Sequence, residues 1–218
     1  TATASKFGPE DFARLTGADA DVLERLSKYE TILKVWNAHT NLIASSTVDA
    51  IWERHFWDSA QILPLIPETA KTIVDIGAGA GFPGLVLAAM LSGKSNATIH
   101  LIDATQKKCR FLTGAAEAMG VKVQIHWGRA ESLSPLNADV VAARAVAALD
   151  SLFGFVERHL KPDGLALLLK GARANEELTA ARRAWDFAVN KVPSRSDSAG
   201  MVLCVTGLRR CPTRMKRS

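Results

Sequence analysis

The segment DIGAGAGFPG at positions 75–84 has the residue types and the spacing of a ligand-binding loop. The branched apolar run at 72–76 suits a strand buried on both faces, and the glycines after it allow a sharp turn and the close approach of a ligand. Pro83 suits the first turn of a helix. A strand, a glycine loop and a helix in this order predict that the loop, with Gly77 and Gly79, binds a nucleoside cofactor.

Two classes of cofactor match different spacings of these glycines. The pattern DxGxGxG that starts at Asp75 is typical of S-adenosylmethionine (SAM) methyltransferases, whereas the pattern GxGxxG that starts at Gly79 matches the dinucleotide fingerprint by count. A pyrophosphate needs free N–H groups at a helix N-terminus, and Pro83 removes one of them. SAM has no phosphate, so the sequence favours SAM. A plain tight turn is the remaining alternative.

Acidic residues also follow the next two apolar runs. The Asp103 carboxylate is placed to accept hydrogen bonds from ribose hydroxyls, although Asp103 could instead cap the following helix. The segment GRAE at 128–131 could bracket an adenine edge with its backbone and the Glu131 carboxylate, or Glu131 could only be solvated in a turn. Ligands of parallel sheets bind beyond the carboxyl ends of the strands, so these residues are expected to meet at one site.

Strands and helices alternate along the chain, which predicts an α/β fold with a mostly parallel sheet. Strands are predicted at 72–76, 98–103, 123–127, 140–143, 165–169, 187–192 and 201–208, and helices from Pro83 onward and at 106–119, 148–160 and 175–185. Only residues 193–200 separate the last two strands. This gap is too short for a crossover helix, so we expect the last strand to be antiparallel.

The first 68 residues have helical rather than strand patterns. Apolar residues recur at helical spacing over about 21–37, and further helical stretches are predicted at 48–54 and 55–63. We therefore predict three parts, which are an N-terminal helical extension at 1–68, a SAM-binding methyltransferase domain at 69–208 and a basic tail at 209–218.

The composition is that of an ordinary globular protein, with 218 residues of which 48% are hydrophobic and 22% charged. No apolar run is long enough to span a membrane and no secretory signal is evident, so we predict a cytoplasmic protein. The three cysteines and five histidines have no metal-ligand spacing, which predicts reduced thiols and no metal site.

The net charge of +5 is concentrated at the C-terminus. Five cations occur without an acidic residue between them, at Arg209, Arg210, Arg214, Lys216 and Arg217. Such a segment suits sequence-independent contact with a phosphate backbone, and a solvated end is the alternative.

Taken in order, the motifs closely resemble the bacterial small-subunit ribosomal RNA guanine-N7 methyltransferases, also called glucose-inhibited division protein B. The likeness runs from about Tyr29 to Gly171 and fades toward both ends. It is carried by WN at 36–37, NL at 41–42, RH at 54–55, DS at 58–59, the loop at 75–84, DAT at 103–105, GRAE at 128–131, ARAVA at 143–147 and LKG at 169–171.

This resemblance implies a Rossmann-like SAM-dependent methyltransferase fold and an enzyme that methylates N7 of one guanine in the decoding region of 16S rRNA. SAM is then the cofactor, and 16S rRNA or the small ribosomal subunit is the partner. The implied cofactor contacts are Gly77, Phe82, Asp103, Ala104, Thr105, Ala130, Glu131 and Arg144. The chain departs from the family at two places: Ile43 stands where Thr is usual, and Phe56 and Trp57 replace smaller aliphatic residues. Both lie outside the cofactor loop, so they bear on substrate contacts more than on SAM binding.

The sequence lacks the motif of amine methyltransferases, and this absence is consistent with methylation at N7. Guanine N7 has an in-plane lone pair at neutral pH, so direct displacement needs no general base and positioning can supply most of the catalysis. The Asn/Asp-Pro-Pro-aromatic motif of amine methyltransferases is replaced by ARAV at 143–146. Because N7 gains positive charge, we interpret Arg144 as an orienting or carboxylate-binding residue, with a structural salt bridge as the alternative.

Candidate RNA contacts are Lys170 and Arg173, which follow the fifth strand, and His55, which could line the same opening. The alternatives are solvated charges and, for His55, a packing role beside Phe56 and Trp57. Two other functions remain open at this level: a nicotinamide-dependent oxidoreductase and a noncatalytic RNA-binding protein. The oligomeric state is not predicted.

Overall fold

The computed structural model describes residues 7–144 and 146–212. The strands within these residues are β1 Thr72–Ile76, β2 Thr98–Asp103, β3 Gln124–Trp127, β4 Ala138–Arg144, β5 Leu160–Lys170, β6 Trp185–Pro193 and β7 Met201–Arg210. They form one sheet in the order β3-β2-β1-β4-β5-β7-β6. The strand order reverses between β1 and β4, which places a ligand crevice at the carboxyl ends of these two strands.

The strand directions confirm the predicted Rossmann-like sheet. The pairs β1–β2, β1–β4, β2–β3 and β4–β5 are parallel, whereas β7 is antiparallel to both β5 and β6. The short connection between β6 and β7 explains this reversal, because it leaves no room for a crossover helix.

Helices cover both faces of the sheet. Those of the described residues are α1 Pro9–Thr16, α2 Ala20–Thr40, α3 Asp58–Ala60, α4 Gly84–Leu91, α5 Gln106–Met119, α6 Leu149–His159 and α7 Ala174–Ala181. Short 3-10 segments at Ser45–Ala50 and Leu63–Leu65 and a π-helical segment at Trp52–Trp57 connect α2 to the sheet. None of the described helices is long and apolar enough to cross a membrane.

Neighbouring residues of each central strand enter different cores. On β1, Ile73 packs in a core with Leu26 of α2 and Leu112 of α5, while Val74 packs in a second core with Phe153 of α6. All five side chains are at most 2% exposed, and a fully buried aliphatic side chain contributes about 1.5–3 kcal/mol. The run of apolar residues in β1 is thus explained by burial on both faces.

The N-terminal helices share the first of these cores with the sheet. Asp19 caps α2 by accepting the Val22 N–H at 3.0 Å, and the stripe predicted at helical spacing, including Leu26 and Leu33, is buried. The division into an extension, a methyltransferase domain and a tail remains a prediction.

Some element bounds differ from those predicted. Trp185 was expected to end a helix, but it begins β6, where its buried ring packs against Phe153 at 5.9 Å and its indole N–H donates to Asp150 at 3.0 Å. Residues 162–164, PDG, are of types that favour a turn, yet they lie within β5. β7 extends to Arg210, and the other three cations of the predicted tail lie outside the described residues.

Candidate active site

The glycine loop between β1 and α4 uses backbone conformations that favour glycine. Gly77 has φ +68° and Gly79 has φ +57°, a region in which a side chain costs about 1–2 kcal/mol. A Cβ on Gly77 would also lie 2.8 Å from Cγ2 of Val146, whereas a Cβ on Gly79 would meet only the Gly77 carbonyl oxygen, at 3.7 Å. Close packing therefore requires glycine at Gly77 in addition to the backbone conformation.

Most backbone N–H groups of this loop are used inside the protein. The hydrogen bonds run from Ala78 N to Ile102 O, from Gly79 N to Asp103 Oδ2, from Gly81 N and Phe82 N to Ala78 O, from Gly84 N to Asp75 Oδ2 and from Leu85 N to Gly81 O. A pyrophosphate needs such groups unpaired at a helix N-terminus. The first N–H of α4 faces a buried carboxyl instead, so the loop suits a cofactor without phosphate and does not support the dinucleotide alternative.

Asp75 is fully buried beneath the loop. Its Oδ2 accepts the Gly84 N–H at 2.8 Å, and its Oδ1 has no hydrogen-bond partner among the described residues. Burial raises the pKa of this carboxyl to about 7. Asp75 therefore joins the start of α4 to β1. Burying this carboxyl with one oxygen unpaired is unfavourable, above all when the group is ionised.

Aromatic side chains from the N-terminal region support the loop from below. The Tyr29 hydroxyl on α2 donates to the Ala80 carbonyl, and the Tyr29 ring lies 5.3 Å from Phe56 and 5.4 Å from Phe82. All three rings are buried. Phe56 is thus a core residue, while Phe82 joins the core to the crevice.

Asp103, at the end of β2, connects the first two loops of the site. Its Oδ2 accepts the Gly79 N–H at 2.9 Å and its Oδ1 accepts the Thr105 N–H at 2.8 Å. The second bond forms a local turn before α5, whose N-cap residue is Thr105, so Asp103 does not make the helix-capping contact that was its alternative role. Each carboxylate oxygen has a further lone pair, so Asp103 can still accept ribose hydroxyls. The neighbouring Ala104 accepts the indole N–H of Trp127 through its carbonyl, at 3.2 Å.

The residues after β3 lie beside Asp103, whose carbonyl accepts the Gly128 N–H at 3.0 Å. Of the predicted cofactor contacts, Ala104, Thr105, Ala130 and Glu131 line neither of the two cavities that open in the crevice. Ala130 is buried and its carbonyl is 2.8 Å from Nε2 of His159. The Glu131 side chain is 49% exposed and lies 3.9 Å from Arg129, which is too long for a hydrogen bond. Glu131 therefore remains available to a ligand, and the solvated-turn alternative stays open.

The Arg144 guanidinium, at the end of β4, contacts three residues of the N-terminal region. Nη1 donates to Asp58 Oδ2 at 3.1 Å and to the Arg54 carbonyl at 3.3 Å, and Nη2 donates to Nδ1 of His55 at 3.0 Å. The group also lies 4.7 Å from the centre of the Phe82 ring. Its other N–H groups have no partner among the described residues, so they can bind an anion such as an amino-acid carboxylate.

Both ring nitrogens of His55 are used by the protein. Because Nδ1 accepts from Arg144, the proton is on Nε2, which donates to Thr47 Oγ1 at 2.8 Å. Burial and then the positive charges of Arg144 and Arg54 lower the pKa of His55 to about 3. The ring stacks on Phe82 at 4.9 Å. His55 is therefore a neutral residue held by internal contacts.

Asp58 connects Arg144 to the loop between β6 and β7, residues 194–200. The Asp58 Oδ1 accepts hydrogen bonds from Gln61 Nε2 at 2.9 Å and from Ser196 Oγ at 2.5 Å. Gln61 also accepts a backbone N–H of the same loop at 2.8 Å. These bonds join the N-terminal region, β4 and the β6–β7 loop at the mouth of the crevice.

The two cations predicted to face RNA phosphates have different surroundings. The Lys170 ammonium donates to Glu177 Oε2 at 2.8 Å and to the Ala147 carbonyl at 2.6 Å, and its side chain is 8% exposed. Arg173 is exposed just before α7, and its guanidinium has no hydrogen-bond partner among the described residues. Arg173 is thus available to an external phosphate, whereas the charge of Lys170 is balanced internally.

Two cavities bounded by described residues open side by side in the crevice. The glycine-loop cavity has a volume of about 400 Å³ and is lined by that loop and by His55. The β5 cavity has a volume of about 630 Å³ and lies between the ends of β4 and β5, α7 and the β6–β7 loop. Asp58, Arg144 and Asp197 line both cavities and form their shared wall.

The structure brings most of the predicted site residues together. Those that line the glycine-loop cavity are Gly77, Gly79, Phe82, Arg144 and His55. Asp103 adjoins this cavity through Gly79, while Lys170 and Arg173 line the β5 cavity. Their contacts with ligands remain predictions. In the part of the chain that the structure describes, no group of three or more His, Cys, Asp or Glu side chains is arranged to hold a metal ion.

Two residues that organise the site were not predicted to do so. Tyr29 was interpreted only as part of an apolar stripe, yet a tyrosine in such a stripe indicates a hydroxyl that needs a buried partner. Asp58 was noted only in the pair DS at 58–59 that contributes to the family resemblance, and nothing local indicated its partners, because Arg144 and Ser196 lie 86 and 138 residues away in the chain.

Comparison with known proteins gives a consistent result for the sequence. A family model described as rRNA small subunit methyltransferase G matches residues 22–199. The chain is 43% identical to the ribosomal RNA small subunit methyltransferase G of Rhodospirillum centenum over 200 residues, which cover 92% of this chain and 91% of that protein. It is also 43% identical to the protein of the same name from Caulobacter vibrioides, over 91% of each chain.

The fold also matches a solved structure. An O-methyltransferase from Bacillus cereus in complex with SAH superposes with a TM-score of 0.58, covering 91% of this chain and 96% of that chain. The sequence identity is only 13%, so this likeness concerns the fold.

Proposed function

We propose a function from one premise, which is that the chain belongs to the rRNA small subunit methyltransferase G family. It transfers the methyl group of SAM to N7 of a guanine in 16S rRNA. The observation that carries this proposal is the glycine loop. Most of its N–H groups are used internally, which suits a cofactor without phosphate, and it shares a cavity with Arg144.

Each part of the cofactor has a suitable group in the crevice. We assign the ribose hydroxyls to Asp103 and the amino-acid carboxylate to the unused N–H groups of Arg144. Gly77 and Gly79 permit close approach of the cofactor to the backbone. We assign the adenine of SAM to backbone and side-chain atoms of Ala104, Thr105, Ala130 and Glu131. SAM supplies a methyl group on a sulfonium, which is open to direct displacement.

The electrostatics of the shared wall suit transfer to N7. N7 becomes positive as it accepts the methyl group, so a nearby unpaired cation would oppose the reaction. The Arg144 charge is balanced by Asp58 at 3.1 Å, and the depressed pKa of His55 keeps that ring neutral. The protein thus holds an arginine near the reaction with its charge compensated.

The contacts of His55 also support a reaction without a general base. Both of its ring nitrogens are already hydrogen-bonded, so His55 could accept a proton only by breaking an internal bond. N7 needs no such proton removal, whereas an exocyclic amine does. This difference favours N7 as the acceptor and positioning as the main source of rate.

The RNA side of the site is less constrained by internal contacts. The exposed Arg173 is the best placed of the predicted cations to bind a phosphate, while the internal bonds of Lys170 and His55 favour positioning roles. We propose that the substrate is 16S rRNA, free or in the small subunit. Because ribosomes are assembled in the cytoplasm, we propose that location.

We also retain the division into a helical extension at 1–68, a methyltransferase domain at 69–208 and a basic tail at 209–218. In this proposal the tail adds sequence-independent contact with RNA phosphates.

The test is methyl transfer from labelled SAM to 16S rRNA from a strain that lacks the enzyme. Cleavage of the product backbone at 7-methylguanosine, after reduction and aniline treatment, then locates the modified base. We expect one labelled guanine and cleavage at that position. Label on an exocyclic amine, or no label in either free rRNA or small subunits, would contradict the proposal.

A further inference from the structure

The β5 cavity has the size of a nucleoside site and adjoins the glycine-loop cavity. Its volume of about 630 Å³ falls within the range of about 300–1,000 Å³ that is common for small-ligand clefts. Val146 lines it and packs directly against Gly77 of the other cavity. A ligand in one cavity therefore lies next to a ligand in the other.

Two ion pairs balance four of the seven charged side chains among the described residues of its lining, while Arg173 and Glu176, of opposite charge, are exposed. Lys170 pairs with Glu177 at 2.8 Å and Arg144 pairs with Asp58 at 3.1 Å. Much of the remaining lining is apolar and comes from Val146, Ala147, Ala148, Leu169, Ala180 and Met201. Such a surface suits a flat, uncharged ligand such as a nucleobase better than a free phosphate.

Asp197 is the acidic residue of the shared wall that has an unused oxygen. Its Oδ1 accepts the Ala199 N–H at 3.0 Å, and its Oδ2 has no hydrogen-bond partner among the described residues. The loop that holds it is fixed by the bonds of Ser196 to Asp58 and of Gln61 to the loop backbone. The Asp197 carboxylate is thus held in position with an acceptor to spare.

We propose that the β5 cavity receives the target guanine and that Asp197 accepts hydrogen bonds from its N1–H and N2–H groups. This inference rests on the proposed function. N7, O6 and N1 follow one another around the rim of guanine, so one wall can present the methyl donor to N7 and a carboxylate to N1–H. Adenine has an acceptor at N1, so the same carboxylate disfavours adenine.

The contact also assists the transfer itself. As the bond between sulfur and the methyl carbon breaks and the bond to N7 forms, the positive charge passes from the sulfonium to the purine, and a neutral thioether leaves. No proton is transferred. The N1–H group becomes more acidic as the charge arrives, so its hydrogen bond to Asp197 strengthens in the transition state and raises kcat.

The experiment combines Asp197→Asn with a substituted substrate. Small subunits are reconstituted with 16S rRNA that carries guanosine or inosine at the target, since inosine keeps N7 and N1–H but lacks the N2 amino group. Asp197→Glu is the conservative variant. Asp163→Asn, at an exposed position near the start of β5, is the control for loss of one negative charge.

We expect Asp197→Asn to lower kcat/KM on guanosine about 100-fold, partly through kcat, and Asp197→Glu to restore part of this loss. Inosine should lower the kcat/KM of the wild type about 10-fold and that of the Asn variant less, because the amide keeps only one acceptor and turns a donor toward the guanine N–H groups. The Kd for S-adenosylhomocysteine should stay within about twofold, and Asp163→Asn should behave as wild type.

Three results would overturn the inference. The first is unchanged kcat/KM in Asp197→Asn, and the second is an equal inosine penalty in both proteins. The third is a weakened Kd for S-adenosylhomocysteine, which would assign Asp197 to the cofactor instead. If the wild-type enzyme still methylates guanine N7 when one of these results is found, only the inference about Asp197 fails and the proposed function stands. If the wild-type enzyme methylates no guanine N7, both the inference and the proposed function are rejected.

Discussion

The two halves of the crevice are held by different kinds of contact. Around the glycine-loop cavity the backbone is tightly packed, with Gly77 against Val146 and Tyr29 hydrogen-bonded beneath the loop. Around the β5 cavity, side-chain pairs define the walls, namely Lys170–Glu177 and, in the wall shared with the other cavity, Arg144–Asp58. The first half has a shape set by the main chain, and the second has a shape set by polar side chains.

This difference indicates separate tasks for the two halves. A cofactor of fixed shape can be bound by backbone that hardly moves, and any change there should affect binding and stability together. An RNA base must enter and leave, so hydrogen-bonded walls suit that half better. We therefore expect substitutions near the glycine loop to reduce affinity or stability, and substitutions near the β5 cavity to reduce transfer more than stability.

The largest expected effect is on the pH dependence of stability, through Asp75. Its pKa is raised to about 7 in the folded protein from 3.8. Its protonated form is therefore favoured by folding, and the stability it contributes is present below pH 4 and is lost as the pH rises through 7. The difference amounts to about 4 kcal/mol.

Asp75→Asn keeps an acceptor for the Gly84 N–H but cannot ionise. The free energy of unfolding of the variant, relative to wild type, should increase between pH 5 and pH 8. Urea titrations at several pH values measure this. Parallel curves for the two proteins would show that Asp75 is already ionised in the folded protein across this range, so that its pKa is not raised.

The second prediction concerns Gly77→Ala, which should weaken binding of S-adenosylhomocysteine at least about 100-fold. The added Cβ meets Val146 and also occupies a left-handed backbone conformation. In Gly79→Ala only the conformational cost applies, so the loss should be smaller. Adding Val146→Ala to Gly77→Ala removes the clashing methyl groups and should recover the difference. Equal losses in all three proteins, measured by calorimetry, would refute close packing at Gly77.

On the β5 side, Asp58→Asn should lower methyl transfer about 30–100-fold with a smaller loss of stability. The variant leaves Arg144 without its balancing charge and weakens the bond to Ser196. Asp186→Asn removes a more exposed ion pair with Arg209 and is the matched control, for which we expect no change in transfer. If Asp58→Asn lost as much free energy of unfolding as its loss of methyl transfer corresponds to, the two halves of the crevice would not have separate tasks.

The smallest expected effect is that of Tyr29→Phe. It leaves the Ala80 carbonyl without its donor while keeping the ring packing, which should cost about 1–2 kcal/mol in the free energy of unfolding. Affinity for S-adenosylhomocysteine should fall in step, since the loop rests on this contact. Thermal unfolding with and without ligand tests both effects, and an unchanged variant would mean that the hydroxyl does not fix the loop.

Most of the fold could be predicted because its signals are local. The apolar run of β1, the glycines after it and the short connection at 193–200 each determine structure within a few residues. Trp185 was misassigned for the opposite reason. The helical pattern before it continues smoothly, and only its distant contacts with Phe153 and Asp150 place it in a strand.

The candidate site divides in the same way. Gly77 and Asp103 were identified from residues next to them in sequence, and the structure places them at the crevice. The partner of Arg144 could not be foreseen, since Asp58 lies 86 residues earlier. Lys170 showed only a charge after a strand, and its burial against Glu177 depends on how α7 packs.

A crystal of this protein grown with S-adenosylhomocysteine tests the central claim most directly. The account predicts that the ribose lies on the Asp103 carboxylate, that the amino-acid carboxylate lies against Arg144, and that the sulfur faces the wall shared with the β5 cavity. Ligand bound outside the glycine-loop cavity, with that cavity empty, would contradict it.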